Sequence, residues 1–417
     1  MHHLEKRRRR SLIPVFLTFF LDNFGLAVIY PIFTPLVMNP TEGFFTSEPS
    51  FFIKTFTLGL LIGAFPLAQF FGSPLIGQYS DRYGRKRAFY FTILGTTLGY
   101  TLTACAIAFH SLHLLFASRW ITGLCAGNLT ICLAALADLC PDESRRAKNF
   151  GHISAIGGLS FILAILVGGI LSDPVFYRHF NPSIPFWITA LLSFINFILM
   201  VILFHETHPS HLKNSLNPFT GIQNLKMAVA DRDLRVLYGT NFFFKIAWVA
   251  SMQFLPAFLI KLYTYASHEI TYVLLGVGGA WTLANWGINR LLAQWVYPGM
   301  SLLYSLGLLG LFTSLLAFDL PIELFLTLFF LATACASLSW TTGITTLSIK
   351  ASTQIQGSIL GVNQSVTALA SVCAPALGGI VIGIKPELLY LFCGGSCFIA
   401  FILLRLSKVY RSRNEGN

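Results

Sequence analysis

The stretch GQYSDRYGRKR occupies residues 77–87 and separates two long apolar segments, at residues 51–76 and 88–110. It combines two glycines with one acidic and four basic residues. A glycine relieves the steric limits on a tight turn, and basic residues concentrate in the cytoplasmic loops of membrane proteins. The stretch therefore predicts a short cytoplasmic turn between two membrane helices, with Gly84 in the turn itself.

The composition extends this pattern to the whole chain. Charged residues make up 11% and hydrophobic residues 55%, whereas a soluble globular domain carries about a quarter charged residues. Apolar runs of about 20 residues can cross a bilayer, and lipid forces them to be helical because it offers the backbone no hydrogen-bond partner. We predict an all-α integral membrane protein with twelve transmembrane helices, at residues 12–38, 51–76, 88–110, 113–137, 150–172, 184–204, 235–260, 270–294, 299–318, 321–347, 357–384 and 386–406.

The two sets of six segments resemble each other in sequence. Residues 65–78 and 281–294 share an order of aromatic, alanine and amide residues, and the Gly168–Gly169 pair has a counterpart in Gly378–Gly379. Duplicated halves are typical of transporters whose site lies between the repeats. We predict two pseudo-symmetric six-helix bundles, at residues 1–204 and 235–417, joined by a polar cytoplasmic linker at residues 205–234.

The basic residues predict the orientation in the membrane. Most of them fall on the side that also holds both termini, including the run of Lys and Arg at residues 6–10 and the basic turn at residues 82–87. By the positive-inside bias, both termini are cytoplasmic and the protein lies in an inner or plasma membrane. The net charge of +11 then reflects topology and contacts with lipid headgroups, so we expect no nucleic-acid partner.

Several other classes of protein are disfavoured by what the sequence lacks. The apolar stretch at residues 11–38 is too long for the core of a secretory signal, so we expect it to remain as the first helix. The eight cysteines are scattered through apolar segments without metal-ligand spacing. We find no catalytic triad, paired catalytic carboxylates or phosphate-binding loop. The sequence therefore predicts no enzyme activity, no metal and no cofactor.

The basic turn also resembles the signature of a known family. Its spacing is similar to the loop between the second and third helices of the major facilitator superfamily, a likeness carried by Gly77, Asp81, Arg82, Gly84, Arg85 and Lys86. The resemblance implies a conformational latch that holds two bundles together on the cytoplasmic side. Its expected partners are Asp138 and the start of the eleventh helix, near residues 356–358. The plainer alternative is a positive-inside loop with a turn glycine.

Two charges lie deep inside predicted helices, where charge is costly and marks a functional site by default. Asp22 falls near the middle of the first helix and Lys245 at a similar depth in the seventh. The resemblance places both helices around a central cavity. If the pair touched in one state and separated in the other, proton binding to Asp22 would be coupled to the change of conformation. Alternatively, each charge is satisfied by neighbours such as Asn23 and Asn241.

Arg119 begins the stretch RWITGLCAG, which resembles the second motif of the same family. Arg119 and Gly123 match that motif, whereas Thr122 and Cys125 depart from it. The resemblance implies that Arg119 lines the cavity and takes part in proton coupling with Asp22. The alternative is an arginine that extends toward the headgroups.

A third predicted intramembrane cation is Arg290, for which the alternative is again an arginine that extends toward the headgroups. With Arg119 and Lys245 it outnumbers the single clear anion, Asp22, which hints at a negatively charged substrate. Amide side chains would orient that substrate, although many amides in membrane bundles instead join helices. The predicted substrate-binding residues are Asp22, Gln69, Asn128, Lys245, Gln253, Asn285, Asn289 and Arg290.

These observations lead to one expectation about function. We expect a monomeric secondary active transporter that exports a drug or an amphipathic or anionic metabolite in exchange for protons. The antiporter branch usually carries a Gly-Pro pair in helix five where this chain has Ala164 and Ile165, which weakens that assignment. Proton-coupled uptake of a nutrient or siderophore and a transporter-like receptor remain alternatives.

Overall fold

The computed structural model describes residues 2–39, 44–45, 48–139, 143–207, 217, 219–228, 232–350 and 356–407. These residues are nearly all helical and contain no strand. Ten helices among them are long and apolar enough to cross a membrane. The predicted all-α membrane fold is confirmed.

Sixteen α-helices and one π-helical turn make up the described chain. They are α1 His2–Ala27, α2 Tyr30–Met38, α3 Phe51–Tyr83, α4 Arg85–Ala108, α5 Leu112–Cys125, α6 Asn128–Leu139, α7 Glu143–Ser172, α8 Ile184–Leu203, α9 Thr220–Ala228, α10 Arg232–Tyr263, α11 Ser267–Leu283, the π turn Ala284–Ile288, α12 Asn289–Trp295, α13 Pro298–Leu315, α14 Ile322–Lys350, α15 Gln356–Ile384 and α16 Leu388–Ser407.

The spans agree with twelve crossings, but some predicted helices are broken. The fifth and eighth predicted segments correspond to α7 and to α11–α12, the latter interrupted by the π turn. The first predicted helix divides into α1 and α2, where Pro31 lies in the first turn of α2 and cannot donate to the preceding turn. The fourth divides into α5 and α6 at Ala126–Gly127. Sequence hydropathy missed both breaks because the flanking residues are equally apolar.

By Cα proximity the chain separates into two compact units. Unit 1 comprises Met1–Thr46 and Ala64–Thr220, and unit 2 comprises Ser47–Gly63 and Gly221–Asn417. The single helix α3 thus contributes its first part to unit 2 and the rest to unit 1. The predicted bundle limits at residues 204 and 235 stay a prediction.

The core of unit 1 is a cluster of apolar side chains from α1, α3, α4, α6 and α8. Phe89 and Phe204 are fully buried there and meet edge to face, with ring centroids 5.3 Å apart. Such aromatic pairs add to the stabilisation that burial alone provides. The cluster lies beside the start of α4, and it therefore supports the basic turn.

The core of unit 2 is aromatic. Phe258 of α10, Phe325 and Phe329 of α14 and Tyr390 of α16 are all fully buried. The Phe258 ring stacks on that of Phe325 at 5.1 Å between centroids and meets that of Tyr390 edge to face at 4.8 Å. The first part of α3 packs on α15 through small residues, because a Cβ at Gly59 would collide with the carbonyl of Pro375.

The predicted glycine repeat corresponds to two similar helix contacts. In unit 1, a Cβ at Gly168 of α7 would meet Val28 at 2.9 Å. In unit 2, a Cβ at Gly378 of α15 would meet the ring of Phe254 in α10 at 2.7 Å. Small residues allow membrane helices to approach closely. The fifth helix of each half therefore packs against the first helix of the same half through the repeated glycine.

Candidate functional site

The acid predicted from the first helix has one amide partner. Asp22 is half-buried in α1, and Asn128 is the fully buried first residue of α6. Nδ2 of Asn128 donates a hydrogen bond of 2.9 Å to Oδ1 of Asp22. Within the described residues, Oδ1 of Asn128 is buried without a partner. The structure thus joins two predicted site residues from helices one and four.

The break between α5 and α6 positions Asn128. The carbonyl of Ala126 accepts hydrogen bonds from Nε2 of Gln69 at 3.0 Å and from Oγ of Ser73 at 3.1 Å. Gly127 has no room for a side chain, because a Cβ there would lie 2.6 Å from Ile76. Side chains of α3 therefore satisfy the backbone that the break leaves open. Gln69, predicted to bind substrate, joins helices in this structure.

Tyr100 is a site residue that the sequence reasoning missed. It is buried in α4 and lies within Coulombic range of both Asp22 and Arg119. A Cβ at Gly25 would collide with its hydroxyl, so the glycine three residues after Asp22 makes room for the phenol. An ordinary tyrosine in an apolar segment gives no signal in sequence, and only the packing identifies it.

Arg119 is buried rather than extended to the surface. Only 4% of the residue is exposed, and its guanidinium carbon lies 4.6 Å from the ring centroid of Phe65 and 5.7 Å from that of Phe33. Cations over aromatic faces are attracted by the ring quadrupole. The salt bridges among the described residues involve neither Arg119 nor Asp22. Among the described residues, neither Arg119 nor Asp22 is therefore held in an ion pair.

Lys245 of unit 2 has an aromatic partner instead of an acid. It is half-buried in α10, and its Nζ lies 4.5 Å from the ring centroid of Trp340 in α14. Within the described part of the chain, no salt bridge involves Lys245. Sequence reasoning had not singled out Trp340. The predicted approach of Lys245 to Asp22 stays a prediction, because the two residues belong to different units.

A small cleft lies next to this lysine. Nδ2 of Asn241 donates to Oδ1 of Asn363 at 2.9 Å, and both residues are 6% exposed. The cleft holds about 200 Å³ of space free of atoms, part of it open to solvent. Its lining combines this amide pair with aromatic and aliphatic side chains, namely Asn241, Phe244, Trp340, Ile344, Asn363 and Thr367.

The remaining predicted substrate residues of unit 2 are Gln253, Asn285, Asn289 and Arg290. Oε1 of Gln253 is buried, and no described residue donates a hydrogen bond to it. Asn285 belongs to the π turn, and the backbone N–H of Asn289 donates to the carbonyl of Ala284 within that turn. Arg290 is exposed. π turns in helices often occur at functional sites, but none of these four residues lines the cleft described above.

In the basic turn, Arg85 bonds two acids. Gly84 has φ +97°, a conformation that favours glycine. The guanidinium of Arg85 donates to Asp81, to Oγ of Ser80 at 2.9 Å and to Oδ2 of Asp138 at 3.4 Å. The structure thus brings Asp81, Arg85 and Asp138 together within unit 1. The side chains of residues 356–358 lie outside the described residues.

Glu206 completes this turn and was missed in the sequence. Its carboxylate accepts from the backbone N–H groups of Arg85 at 2.9 Å and Lys86 at 3.0 Å, at the start of α4. A carboxylate at a helix N-terminus is favoured by the unpaired N–H groups and by the helix dipole. A Cβ at Gly84 would lie 2.4 Å from this carboxylate. Glycine is therefore required here both for φ and for space.

The other residues of the turn make weaker contacts. Nζ of Lys86 donates to the carbonyl of Val201 at 3.1 Å, and the guanidinium of Arg82 lies 5.1 Å from the ring centroid of Tyr83. A Cβ at Gly77 would make only an ordinary contact of 3.8 Å. Gly77 matches the family motif without a steric need in this structure.

This fold defines a multi-pass membrane protein built from transporter-like helix bundles. The profile of the Major Facilitator Superfamily matches residues 15–296, which include the basic turn and the Asp22 site. The chain belongs to the major facilitator superfamily, a family of transporters and not of enzymes.

The chain is similar in sequence to drug-resistance proteins. It is 30% identical over 198 residues to the class H tetracycline resistance protein of Pasteurella multocida, an alignment that spans 48% of this chain and 45% of that relative. It is 32% identical over 154 residues, 37% of each chain, to the quinolone resistance protein NorA of Staphylococcus aureus. The alignments therefore cover less than half the length of these relatives.

Solved structures agree on the fold. A D-xylose-proton symporter has a TM-score of 0.75 at 14% identity, covering 95% of this chain and 96% of the other. The human organic anion transporter MFSD10 has a TM-score of 0.65 at 20% identity, covering 95% and 99% of the two chains. At these identities the likeness concerns the fold alone.

Proposed function

We propose that this protein is a proton-coupled antiporter that exports a drug or an amphipathic or anionic metabolite. One observation carries the proposal: Asp22, in a membrane-spanning helix, has an amide as its hydrogen-bond partner and no ion pair within the described residues. A carboxyl group in such surroundings can change its protonation state without breaking a salt bridge. The similarity to tetracycline and quinolone resistance proteins supports export as the direction.

The amide of Asn128 suits both forms of the acid. As a carboxylate, Asp22 accepts from Nδ2 of Asn128 at 2.9 Å. A protonated carboxyl has an O–H to donate, and Oδ1 of Asn128 has no partner among the described residues. A rotation of the amide would therefore satisfy the protonated acid as well. In this proposal, Asn128 stays hydrogen-bonded to Asp22 while Asp22 binds and releases the proton.

Arg119 and Tyr100 set the electrostatics of the proposed proton site. The guanidinium between Phe33 and Phe65 is positively charged at all relevant pH values. In our proposal this fixed charge acts together with Asp22 in proton coupling. Tyr100 lies within Coulombic range of both groups. We assign Arg119 to proton coupling and Tyr100 to positioning the two charges.

The rest of the machinery follows the family pattern in our proposal. Both termini are cytoplasmic, as the basic residues of the loops favour, and the protein acts as a monomer in an inner or plasma membrane. The turn formed by Gly77, Asp81, Arg82, Gly84, Arg85 and Lys86, with Asp138, acts as the cytoplasmic latch. The hydrogen bonds of Arg85 to Asp81 and Asp138 support this role.

Flux into proteoliposomes tests the function. Tetracycline and a quinolone serve as probes, with pH gradients imposed in both directions and counterflow measured without a gradient. We expect at least one probe to move in the direction opposite to proton flow. Asp22→Asn should lose this transport, whereas Asp319→Asn, which changes an exposed acid, should transport normally. Probe movement along with protons would indicate uptake, and binding without counterflow would indicate a receptor. Full gradient dependence in Asp22→Asn would refute the assignment of the proton site.

A further inference from the structure

A short helix that is not one of the membrane spans exposes large apolar side chains. In α9, Ile222 and Met227 have 39% and 51% of their surface exposed, and Phe219 just before the helix has 59% exposed. Exposed apolar patches mark surfaces that contact a partner or a membrane. We propose that α9 lies in the surface of the membrane on the side of the basic turn and binds anionic phospholipid there. This interaction is separate from the proposed transport site.

The exposed side chains of this segment share one face of the helix. They follow the spacing that places residues on a single helical stripe, and they are Phe219, Ile222, Gln223, Lys226 and Met227. Asn224 and Leu225 lie on the other face and are half-buried. A helix that joins an apolar stripe to basic residues is typical of the membrane interface. The face that α9 turns away from the protein therefore has the composition of a lipid-binding surface.

Hydrogen bonds to Gln78 hold the start of α9 at the end of a spanning helix. Nε2 of Gln78 donates to Oγ1 of Thr220 at 2.9 Å and to the carbonyl of Asn217 at 3.2 Å. The backbone N–H of Asn217 donates to Oε1 of the same glutamine at 2.6 Å. Gln78 lies in the last turns of α3, whose apolar span ends at Tyr83. Within unit 1, the start of α9 is therefore fixed close to the membrane.

A second hydrogen bond fixes the depth of α9 within unit 2. Nδ2 of Asn224 donates to Oγ of Ser365 in α15 at 3.1 Å. Ser365 lies four residues inside the apolar span Gly361–Ile384, a depth of about 6 Å along the helix. Interfacial helices bury their apolar face about 5–10 Å into the boundary between headgroups and acyl chains. The hydrogen bond therefore places α9 at the depth of the bilayer surface.

The charge of this face selects the lipid. Lys226 is exposed and takes part in none of the salt bridges between described residues. A lysine stem lies along apolar surface while its ammonium reaches the polar headgroups, and an anionic surface attracts the basic residues that border it. Arg87 of the basic turn adds an exposed cation on this side of unit 1. An anionic phospholipid therefore fits this face better than a zwitterionic one.

Spin labels on the full-length protein test the position of α9. The label is attached to Phe219→Cys, Ile222→Cys or Met227→Cys, with single proteins in nanodiscs of mixed phosphatidylglycerol and phosphatidylcholine. The spectrum of the labelled unaltered protein is subtracted to remove any signal from the native cysteines. We expect all three labels to be more accessible to oxygen, which concentrates in the bilayer, than to a water-soluble nickel chelate. Asp319→Cys, which labels an exposed position between α13 and α14, should show the opposite preference.

A charge variant tests the recognition of anionic lipid. In the labelled Ile222→Cys protein, Lys226→Gln should lower the ratio of the membrane-buried to the water-exposed spectral component about fivefold, the contribution of one basic residue near an anionic surface. Nanodiscs of phosphatidylcholine alone should lower the ratio in the same direction. Lys385→Gln is the matched control, because it removes an exposed lysine at the far end of α15. This control should leave the ratio unchanged, and thermal unfolding of each variant verifies its fold.

Two results would overturn the proposal. If the labels on α9 are as accessible to the nickel chelate as the label at position 319, the exposed face lies in water and serves a soluble partner instead. If Lys226→Gln and Lys385→Gln give the same ratio, and the ratio does not depend on phosphatidylglycerol, α9 does not recognise anionic lipid. Both measurements are made without a substrate or a proton gradient, so their outcome is independent of the proposed transport function.

Discussion

The first helix of each half carries an intramembrane charge, but the two charges have opposite signs and different partners. Asp22 in the first helix of unit 1 meets an amide, Asn128, whereas Lys245 in the equivalent helix of unit 2 meets an indole, Trp340. Both partners come from the fourth spanning segment of their half. A hydrogen-bonded acid can exchange a proton and keep its partner, whereas an aromatic face attracts a lysine only in its charged form. The two halves therefore differ in chemistry at these two charged residues.

The largest effect should come from filling the repeated helix contact. Gly168→Leu and Gly378→Leu each place a side chain against a packed neighbour, so each should lower the free energy of unfolding by about 3 kcal/mol or more, the upper end of the cost of overpacking. Denaturation in mixed detergent micelles measures this. Gly361→Leu is the control, because a Cβ there meets nothing within 4 Å. If only one of the two glycine variants loses stability, the two helix contacts are not equivalent.

Removing an amide should cost more free energy of unfolding at Asp22 than at the Asn241–Asn363 pair. Asn128→Ala leaves the carboxylate of Asp22 without its hydrogen bond and should cost about 2–3 kcal/mol, whereas Asn363→Ala loses a bond between neutral groups and should cost about 1 kcal/mol. Unfolding free energies of both variants provide the test. In the double variant Asp22→Asn with Asn128→Ala, the cost should be less than the sum of the single costs. If the cost of the double variant equals the sum of the two single costs, Asp22 and Asn128 do not interact directly.

A smaller loss is expected at the basic turn. Glu206→Ala removes the acceptor for two N–H groups at the start of α4 and should cost about 1–2 kcal/mol. Glu206→Gln keeps an acceptor and should lose less. Since the latter difference is electrostatic, it should shrink in high salt. An identical unfolding midpoint for Glu206→Ala and the unaltered protein would show that the contact has no role in stability.

The smallest effect is expected at the aromatic partner of Lys245. Trp340→Leu should cost about 1 kcal/mol beyond the change in buried area, because the cation loses a ring face. Trp340→Phe keeps a face and should retain part of that contribution. Repeating both substitutions in Lys245→Met isolates the interaction between the two side chains. The same cost with and without the lysine would refute the cation–π contact.

The sequence predicted well what depends on local composition. The apolar runs predicted the spans, and the spacing of Asp81, Gly84 and Arg85 predicted a turn that the structure shows with positive φ and with hydrogen bonds between charged groups, and the resemblance implied Asp138 as a partner. These features could be predicted because a glycine in a turn or a charge in an apolar segment has few other structural roles. The family itself was recognised from the same residues.

The sequence could not predict features that arise from packing between distant segments. Glu206 caps a helix that begins 121 residues earlier, and nothing near it in the chain signals this. The break at Ala126–Gly127 depends on side chains of another helix, Gln69 and Ser73. Arg290 was predicted as an intramembrane cation from hydropathy, but hydropathy does not tell which face of a helix is covered. Its side chain is exposed.

The position of Lys245 over Trp340 has a practical consequence. The charge of an ammonium group 4.5 Å from an indole centroid changes the wavelength of the fluorescence emission of the indole. The emission of Trp340, isolated by subtracting the spectrum of a Trp340→Phe protein, should therefore report when the lysine moves or meets a negative charge. The fluorescence of Trp340 thus reports changes around Lys245 without an attached dye.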